Sequence, residues 1–229
     1  NAGRIIAIEI DRHLIPALSE NLADLPNVEI IHEDVMRLNI RELAFERLKT
    51  RAGGQNLTRI KVVSNLPYYI TTPVVMKFLE EMPEADTLVF MVQKEVADRM
   101  AAEPGGKDYG ALTVAVRYYA NPERMFTVPP HCFIPQPDVE SAVIRLRVNK
   151  TPPVELLDRE LFFKTVKAAF GQRRKTLVNA LYNSGYFMIN KEEIKKILED
   201  TGIDENCRGE ELSIMQFSSL ANSFSEKAR

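Results

Sequence analysis

Short apolar runs and helix-period segments alternate along roughly the first 150 residues, and this alternation restricts the fold more than any other feature of the chain. The apolar runs predict strands at residues 5–10, 28–31, 60–64, 87–92, 125–128 and 141–148. The segments between them predict helices at residues 13–22, 40–48, 73–82 and 93–102 and a loop at 51–58, while 111–119 fits either a helix or a strand. Strands that alternate with helices predict a mostly parallel sheet that is covered on both faces.

The pattern changes after a Thr-Pro-Pro segment at residues 151–153, which is typical of a linker. Beyond it the apolar spacing predicts helices at residues 161–170, 174–182, 191–200 and 213–223. We therefore predict an α/β domain at residues 1–151 and a small all-helical domain at residues 152–229.

The composition excludes several classes of protein. No apolar run approaches the roughly 18 residues of a membrane span, and the only cysteines, Cys132 and Cys207, give neither a disulfide framework nor a cysteine-based metal site. His13, His32 and His131 lack metal-ligand spacing, so we expect no metal. No phosphate-binding P-loop sequence occurs, which argues against a nucleotide triphosphatase. A reducing cytoplasm fits this composition best.

The formal net charge of −2 conceals an uneven distribution. Residues 1–141 carry 15 basic and 20 acidic side chains, whereas residues 142–229 carry 15 basic and 12 acidic ones. Between Glu160 and Glu192 there is no acid at all, and this stretch contains Lys164, Lys167, Arg173, Arg174, Lys175 and Lys191. Such a basic segment suggests contact with a polyanion, although a solvated helix face explains the charges equally well.

Polar residues stand where the first three predicted strands end, and ligands of parallel sheets bind beyond the carboxyl ends of strands. Glu9 and Asp11 close the first strand, Asp34 follows the second, and Asn65 follows the third. A carboxylate such as Glu9 can accept hydrogen bonds from ribose hydroxyls, and one such as Asp34 can accept the exocyclic amine of an adenine. Taken singly, Glu9 is better explained as a surface carboxylate and Asp34 as a helix N-cap or turn residue.

The sequence Asn65-Leu66-Pro67-Tyr68 is the most specific motif, because it matches the Asn-Pro-Pro-Tyr type of signature used to methylate amino groups of nucleobases. The Asn65 side-chain oxygen and the following backbone carbonyl can accept both N–H bonds of an exocyclic amine and draw its nitrogen toward a tetrahedral, nucleophilic form. Pro67 stiffens the turn, and Tyr68 offers a ring on which an extruded base can stack. A strand-ending turn with chance aromatics is the alternative.

Two later segments fit the same chemistry. Phe133 begins a proline-stiffened loop that runs to Ser141, and a rigid loop could hold its ring over the second face of the base, or could anchor the loop in the core. Arg173, Arg174 and Lys175 follow a helix break at Gly171, and we expect them to contact phosphates.

In combination these motifs resemble the ribosomal RNA adenine N6-dimethyltransferases, and within them the bacterial small-subunit branch. The matching stretches span nearly the whole chain in the family's order: residues 6–11, 65–73, 92–99, 133–141 and 170–177. The resemblance implies a Rossmann-like methyltransferase domain that depends on S-adenosylmethionine, followed by a helical, RNA-contacting domain. The implied partner is 16S rRNA within the pre-30S small ribosomal subunit, where a monomeric enzyme dimethylates two adjacent adenosines of the 3′-terminal hairpin loop.

The resemblance also implies site roles. Glu9 and Ile10 match the family's residues at the cofactor ribose, Asp34 and Val35 those at its adenine, and Asn65 the catalytic residue between methionine moiety and target amine. The matches to the target-base pocket are Leu66, Pro67, Tyr68 and Phe133.

Three other functions remain as alternatives at this point. The first is an adenine N6-methyltransferase of large-subunit rRNA, whose members typically read Asn-Ile-Pro-Tyr and lack the second tyrosine. The second is a non-catalytic RNA-binding factor of ribosome assembly. The third is a DNA adenine methyltransferase.

The start of the chain leads to a further expectation. By the resemblance, relatives carry a first strand and a Gly-rich loop ahead of the position of Asn1, and that strand is central to their sheet. We therefore expect an N-terminally truncated chain whose sheet has a gap or a rearranged centre, and which binds S-adenosylmethionine poorly or not at all.

Overall fold

The computed structural model describes residues 2–49 and 59–227, so the loop predicted at 51–58 lies outside the described residues. The strands are β1 Ile5–Glu9, β2 Val28–His32, β3 Lys61–Asn65, β4 Thr87–Gln93, β5 Ala120–Val128 and β6 Ser141–Val148. The helices are α1 Ile15–Asn21, α2 Ile40–Lys49, α3 Thr71–Glu81, α4 Lys94–Ala101, α5 Ala111–Tyr119, α6 Arg159–Gly171, α7 Leu177–Asn183, α8 Lys191–Asp200 and α9 Ile214–Lys227.

Most predicted elements are confirmed to within two or three residues, and three differ in ways that matter. The ambiguous segment at 111–119 is a helix, α5. Strand β5 begins at Ala120, five residues before the predicted start, and it tolerates Pro122 because it is an edge strand of its sheet. Helix α7 begins only at Leu177, so Arg174 and Lys175 lie in the turn before the helix.

The strands form two separate sheets among the described residues. One pairs β1 with β2 in parallel, and the other has the order β3-β4-β6-β5. Since no described strand joins β1 to β3, the expected gap in the sheet is present. The prediction of a mostly parallel sheet is confirmed in strand direction, because β1 is parallel to β2 and β3, β4 and β5 run the same way. Strand β6 is the exception, since it pairs antiparallel with both β4 and β5. The twelve residues between β5 and β6 form a 3₁₀ turn and a loop, without the α-helix that usually connects parallel neighbours.

The prediction that helices cover both faces of the sheet is wrong at β3. Its side chains alternate between half-buried and exposed, and Val63 is 78% exposed at the middle of the strand. A parallel strand packed on both faces would bury this valine. One face of β3 is therefore open among the described residues, and Asn65 stands at the end of that face.

Helix α2 connects the two sheets. Its buried residues Ile40 and Ala44 belong to the same apolar cluster as the interior of β4, and Ile8 of β1 packs against that cluster. At the start of α2, the Ile40 backbone N–H donates to Glu81 Oε2 of α3 at 2.9 Å. The smaller sheet is thus held against the larger one by helix packing.

A second apolar cluster fills the helical part of the chain and extends back into α5. Leu112 and Val116 of α5 belong to the first cluster, whereas Val114 belongs to the second, together with the preceding Tyr109. The Tyr109 hydroxyl donates to the Leu212 carbonyl at 2.7 Å. The division of the chain at residue 151 stays a prediction, since one helix contributes to both cores. No helix within residues 2–49 and 59–227 is long and apolar enough to cross a membrane.

Candidate active site

The turn that carries the most specific motif lies at the carboxyl end of β3. Asn65 is the last residue of the strand and pairs with Met91 of β4, and the next backbone N–H, that of Leu66, donates to the Met91 carbonyl at 3.2 Å. The Pro67 carbonyl then accepts two hydrogen bonds, from the Ile70 N–H and from Thr71 Oγ1, both at 3.2 Å. The turn is therefore fixed at both ends by backbone hydrogen bonds.

Within this turn, the two predicted acceptors of an amine are accessible. The Asn65 side chain is exposed, and within the described residues the Leu66 carbonyl accepts no backbone hydrogen bond. The Leu66 side chain does not line a base pocket as the resemblance implied, because it is only 6% exposed and belongs to the apolar core. Leu66 can contribute to the site through its backbone carbonyl alone.

Tyr68 follows immediately and opens a short 3₁₀ turn, Tyr68–Ile70. Its side chain is half-buried, whereas that of the neighbouring Tyr69 is 85% exposed. The Tyr68 hydroxyl lies 2.8 Å from Oγ of Ser141, the first residue of β6. Of the two tyrosines, Tyr68 is therefore the one whose position is defined by the fold.

The proline-rich loop with Phe133 ends beside the same residues. Phe133 is half-buried and belongs to neither apolar cluster, which argues against a role as a core anchor. At the other end of the loop, the Lys94 N–H donates to the Glu140 carbonyl at 2.9 Å, and Lys94 Nζ lies 2.9 Å from Glu140 Oε2. The hydrogen bond that the Lys94 ammonium donates to the Glu140 carboxylate raises the pKa of Lys94. The loop is thus joined to the start of α4, directly after β4.

Glu9 and Asp34 lie together at the carboxyl end of the smaller sheet, where the Glu33 N–H donates to the Glu9 carbonyl at 3.1 Å. Glu9 Oε1 accepts the Asp11 N–H at 2.8 Å. Asp34 Oδ1 accepts the Met36 N–H at 2.9 Å, so the interpretation of Asp34 as a turn residue is also correct. Each carboxylate still has a second oxygen, and that of Asp34 has only Arg37 Nε at 3.9 Å.

The acceptor oxygens of Glu9 and Asp34 fit the adenosine half of S-adenosylmethionine. Ribose hydroxyls and an exocyclic amine are donors, and Glu9 and Asp34 present acceptor oxygens. Ile10, 63% exposed beside Glu9, offers an apolar surface for a base. Val35, predicted as a further cofactor contact, is half-buried and packs partly against the core, and its contact with the cofactor stays a prediction. Because the two sheets are separate, these groups stand apart from the sheet that carries Asn65.

The basic residues of the helical part do not all remain available for a ligand. Arg173 Nη2 donates to the Lys107 carbonyl at 2.5 Å, and its Nε lies 3.4 Å from Glu210 Oε2. Arg174 and Lys175 are exposed, and no side chain of the described residues pairs with them. The structure therefore separates Arg173, which links two segments of the chain, from its two neighbours.

Two residues of this site have no role in the sequence-based prediction. Ser141 and Lys94 lie within the family-like stretches, but neither is a residue type that marks a base pocket. Their partners, Tyr68 and Glu140, are 73 and 46 positions away in the chain. The pairing of β4 with β6 brings Lys94 to Glu140, and together with the pairing of β3 with β4 it brings Tyr68 to Ser141. Within the described residues, no group of three or more His, Cys, Asp and Glu could hold a metal ion.

Comparison with known proteins decides the family. The sequence profile described as "Ribosomal RNA adenine dimethylase" matches residues 2–226 of the chain. The chain belongs to this family. It is 52% identical over 226 residues to the ribosomal RNA small subunit methyltransferase A of Clostridioides difficile, covering 99% of this chain and 75% of that one. The protein of the same name from Alkaliphilus oremlandii is 51% identical over 226 residues, covering 99% and 76%.

Solved structures agree with this family in fold. A dimethyladenosine transferase from Plasmodium falciparum superposes with a TM-score of 0.77 at 22% identity, covering 98% of this chain and 83% of that one. The 23S rRNA methyltransferase ErmE superposes with a TM-score of 0.67 at 23% identity, with the same two coverages of 98% and 83%. The family member described here therefore has the α/β architecture of these methyltransferases, with a helical C-terminal part.

Proposed function

We propose that this protein transfers methyl groups from S-adenosylmethionine to N6 of two adjacent adenosines in the 3′-terminal hairpin loop of 16S rRNA. Its substrate is the immature small ribosomal subunit in the cytoplasm, and each adenosine is dimethylated. The observation that carries the proposal is the turn after β3, where the Asn65 side chain is exposed and, within the described residues, the adjacent Leu66 carbonyl accepts no backbone hydrogen bond.

These two acceptors account for the activation of the target amine. The lone pair of an adenine N6 is delocalised into the ring, so the amine is a poor nucleophile. When Asn65 Oδ1 and the Leu66 carbonyl oxygen accept its two N–H bonds, the nitrogen becomes pyramidal and its lone pair becomes available. No general base is needed before attack, because the proton leaves a nitrogen that is already cationic. The site works by position and hydrogen bonding.

Two aromatic side chains supply the stacking surfaces for the extruded base. Tyr68 is fixed by the turn and by Ser141, and Phe133 is carried by the loop that Lys94 joins to α4. An unpaired adenosine costs little to extrude from a hairpin loop, and stacking on one ring contributes about 1–3 kcal/mol. The pocket must also admit an amine that already carries one methyl group.

Residues of both sheets would bind the cofactor. Glu9 would hold the ribose hydroxyls and Asp34 the adenine amine, with Ile10 and Val35 beside the base, and Asn65 would lie next to the methionine end. When bound, S-adenosylmethionine supplies an electrophilic methyl group on a sulfonium. The described residues then orient the amine in line with that group and exclude water.

The turn before α7 carries the residues that would contact the RNA backbone. Arg174 and Lys175 are exposed, have no side-chain partner in the described part of the chain, and stand in a segment without acids. Arg173 was predicted with them, but its guanidinium is already bound by Lys107 and Glu210. We therefore place the phosphate contacts at Arg174 and Lys175 and give Arg173 a supporting part.

A methyl-transfer assay tests the proposed function. Small subunits whose 16S rRNA lacks the dimethylated adenosines are incubated with saturating labelled S-adenosylmethionine and excess protein, so that weak cofactor binding does not hide the chemistry. We expect label in dimethyladenosine of the small subunit, and none in large subunits or duplex DNA. Asn65→Ala should lower the rate at least about 100-fold.

Asn121→Ala is the matched control for that substitution. Asn121 is an exposed asparagine near the start of β5, at the end of the sheet opposite Asn65. Its replacement by alanine should leave the rate of methyl transfer unchanged. Near-normal transfer by Asn65→Ala contradicts the assignment of the site. Label in large subunits or DNA instead of small subunits favours one of the alternative methyltransferases.

A further inference from the structure

The hydrogen bond between Tyr68 and Ser141 connects two parts of the site that are distant in the chain. Ser141 is only 1% exposed, and as the first residue of β6 it pairs with Gln93 on one side and with Val128 on the other. A residue held by two strand neighbours has little freedom to move. Its hydroxyl is therefore a fixed point, 2.8 Å from the hydroxyl of Tyr68.

The order of the strands determines where the Tyr68 ring lies. Tyr68 follows β3, Ser141 begins β6, and β4 lies between these two strands. A tyrosine that starts beyond β3 and reaches β6 must lie across the carboxyl end of β4, where ligands of such sheets bind. The hydrogen bond thus lays the ring over the site and prevents it from turning out toward solvent, as the ring of Tyr69 does.

Ser141 also ends the loop that begins with Phe133. Glu140, the residue before it, is bound to Lys94 through both backbone and side chain. The strand start at Ser141 therefore fixes one end of the Phe133 loop and, through its hydroxyl, the ring of Tyr68. One buried serine sets the relative placement of the two aromatic elements.

We propose that Ser141 is a positioning residue, which holds the Tyr68 ring through its hydroxyl in the orientation needed to stack on the target adenine. This inference rests on the proposed function, because it assigns a task to the base-stacking tyrosine. It predicts that loss of the hydrogen bond loosens base capture while the fold and the phosphate contacts stay intact. A net hydrogen bond of this kind corresponds to about a two- to tenfold change in an equilibrium.

A fluorescent RNA tests the inference without the cofactor. A hairpin RNA with two adjacent loop adenosines carries 2-aminopurine in place of one of them, and its emission falls when the base stacks on a tyrosine. The variants are Tyr68→Phe, Ser141→Ala, the double variant and Tyr68→Ala, with Ser218→Ala as the matched control. Ser218 is a buried serine of α9 whose hydroxyl donates to the Glu155 carbonyl at 2.9 Å.

The expected result is a shared loss. Tyr68→Phe and Ser141→Ala each weaken stacking by about two- to tenfold, and the double variant is no worse than either single one, because both substitutions remove the same bond. Tyr68→Ala abolishes stacking, and Ser218→Ala changes nothing. The dependence of RNA affinity on salt stays the same in every variant because the phosphate contacts are untouched, and the total affinity falls by no more than the lost stacking. A general loss of structure would change both.

Two other results would separate the inference from the proposed function. Unaltered stacking in Tyr68→Phe, or losses that multiply in the double variant, overturn the role of Ser141 while leaving base stacking on Tyr68 in place. Tyr68→Phe keeps the ring of a half-buried residue and removes only its hydroxyl. The result for this variant therefore decides the question even if Ser141→Ala fails to fold. Unaltered stacking in Tyr68→Ala overturns the base pocket itself.

Discussion

The two thiols of the chain differ in their surroundings, and this difference predicts their reactivity. Cys132 is exposed, whereas Cys207 is half-buried. Burial, together with the nearby Glu211 and Asp204, raises the pKa of Cys207 to about 11. Since the thiolate is the reacting species, we expect a disulfide reagent at pH 8 to label Cys132 rapidly and Cys207 slowly.

The control for this labelling is Cys132→Ser, which should remove the fast phase and leave the slow one. The labelling rate of Cys207 should then rise steadily as the pH approaches 11. Two fast phases of equal amplitude in the unaltered chain would contradict the burial of Cys207.

At single residues, the sequence predicted chemical types better than contacts. The position of Asn65 and Tyr68 at a strand end followed from a short apolar run and a local motif, so both could be predicted. The side-chain direction of Leu66 was missed, because a motif does not show which face of an element meets the core. The pairing of Arg173 with Lys107 and Glu210 was missed as well, since it depends on packing between segments far apart in the chain.

Among the elements, the 3₁₀ turn Gly209–Glu211 packs closely on its neighbour α6. A Cβ added at Gly209 would lie 2.8 Å from the Ala169 carbonyl oxygen, which belongs to helix backbone. We therefore expect Gly209→Ala to lower the free energy of unfolding by about 1–3 kcal/mol, as overpacking usually does. Urea denaturation measures this change.

Gly171→Ala is the matched substitution in the partner helix. Gly171 is the last residue of α6, and a Cβ there would meet nothing within 4 Å. Alanine should raise the free energy of unfolding by about 0.4–1 kcal/mol, because it restricts the unfolded chain. Equal effects of the two substitutions would show that the turn and α6 are not in close contact.

The buried hydroxyl of Tyr109 joins the segment just before α5 to the segment before α9. This contact predicts that the stability of the fold falls at alkaline pH. Burial raises the pKa of Tyr109 from its ordinary value of 10.0 to about 12. The neutral form is therefore favoured in the folded state, and its contribution to stability is full below about pH 10 and is lost as the pH rises toward 12.

Tyr109→Phe should be less stable than the unaltered chain at neutral pH by about 1 kcal/mol, because it loses the bond to the Leu212 carbonyl. It should also lose less stability between pH 10 and 12. Thermal unfolding at a series of pH values measures both effects, with Tyr69→Phe, a change at an 85% exposed tyrosine, as the control. A decline as steep in Tyr109→Phe as in the unaltered chain would assign the alkaline response to other groups.

Element boundaries show where local sequence signals fail. Strand β6 and helix α8 begin and end where predicted, since both have strong periodicity and helix α8 has an Asn190–Glu193 capping box. Strand β5 was predicted too short, because Pro122 and the charged residues after it do not look like a strand unless the strand is known to lie at an edge. Helix α7 was predicted too long, because the basic residues before it are good helix formers.

At the scale of the whole molecule, the alternation of elements predicted the fold class and the strand ends that carry the site. It did not predict the antiparallel pairing of β6, because the twelve residues between β5 and β6 are long enough for either strand direction. The gap between β1 and β3 was predicted from the family resemblance alone, since nothing in the local pattern marks which strands are neighbours.

The gap between β1 and β3 places the predicted cofactor contacts on two different sheets. We therefore predict weak cofactor binding. Glu9 and Asp34 belong to the smaller sheet and Asn65 to the larger one, with no described strand between β1 and β3. The two sheets are held together by the packing of α2 and by no strand of the described residues. A ligand that contacts both sheets must restrict the remaining motion between them, and such ordering reduces the free energy of binding. We expect this chain to bind S-adenosylhomocysteine at least about tenfold more weakly than its C. difficile relative, a difference of about 1.4 kcal/mol.

Isothermal titration calorimetry of both proteins under one set of conditions measures the difference. The relative is a suitable reference because it is 52% identical over 226 residues, and this chain spans 75% of its length. Glu9→Gln in this chain should weaken binding further if the smaller sheet contacts the ribose. Equal affinity of the two proteins would mean that the separation of the sheets does not limit cofactor binding, and that Glu9, Asp34 and Asn65 already stand in their working arrangement.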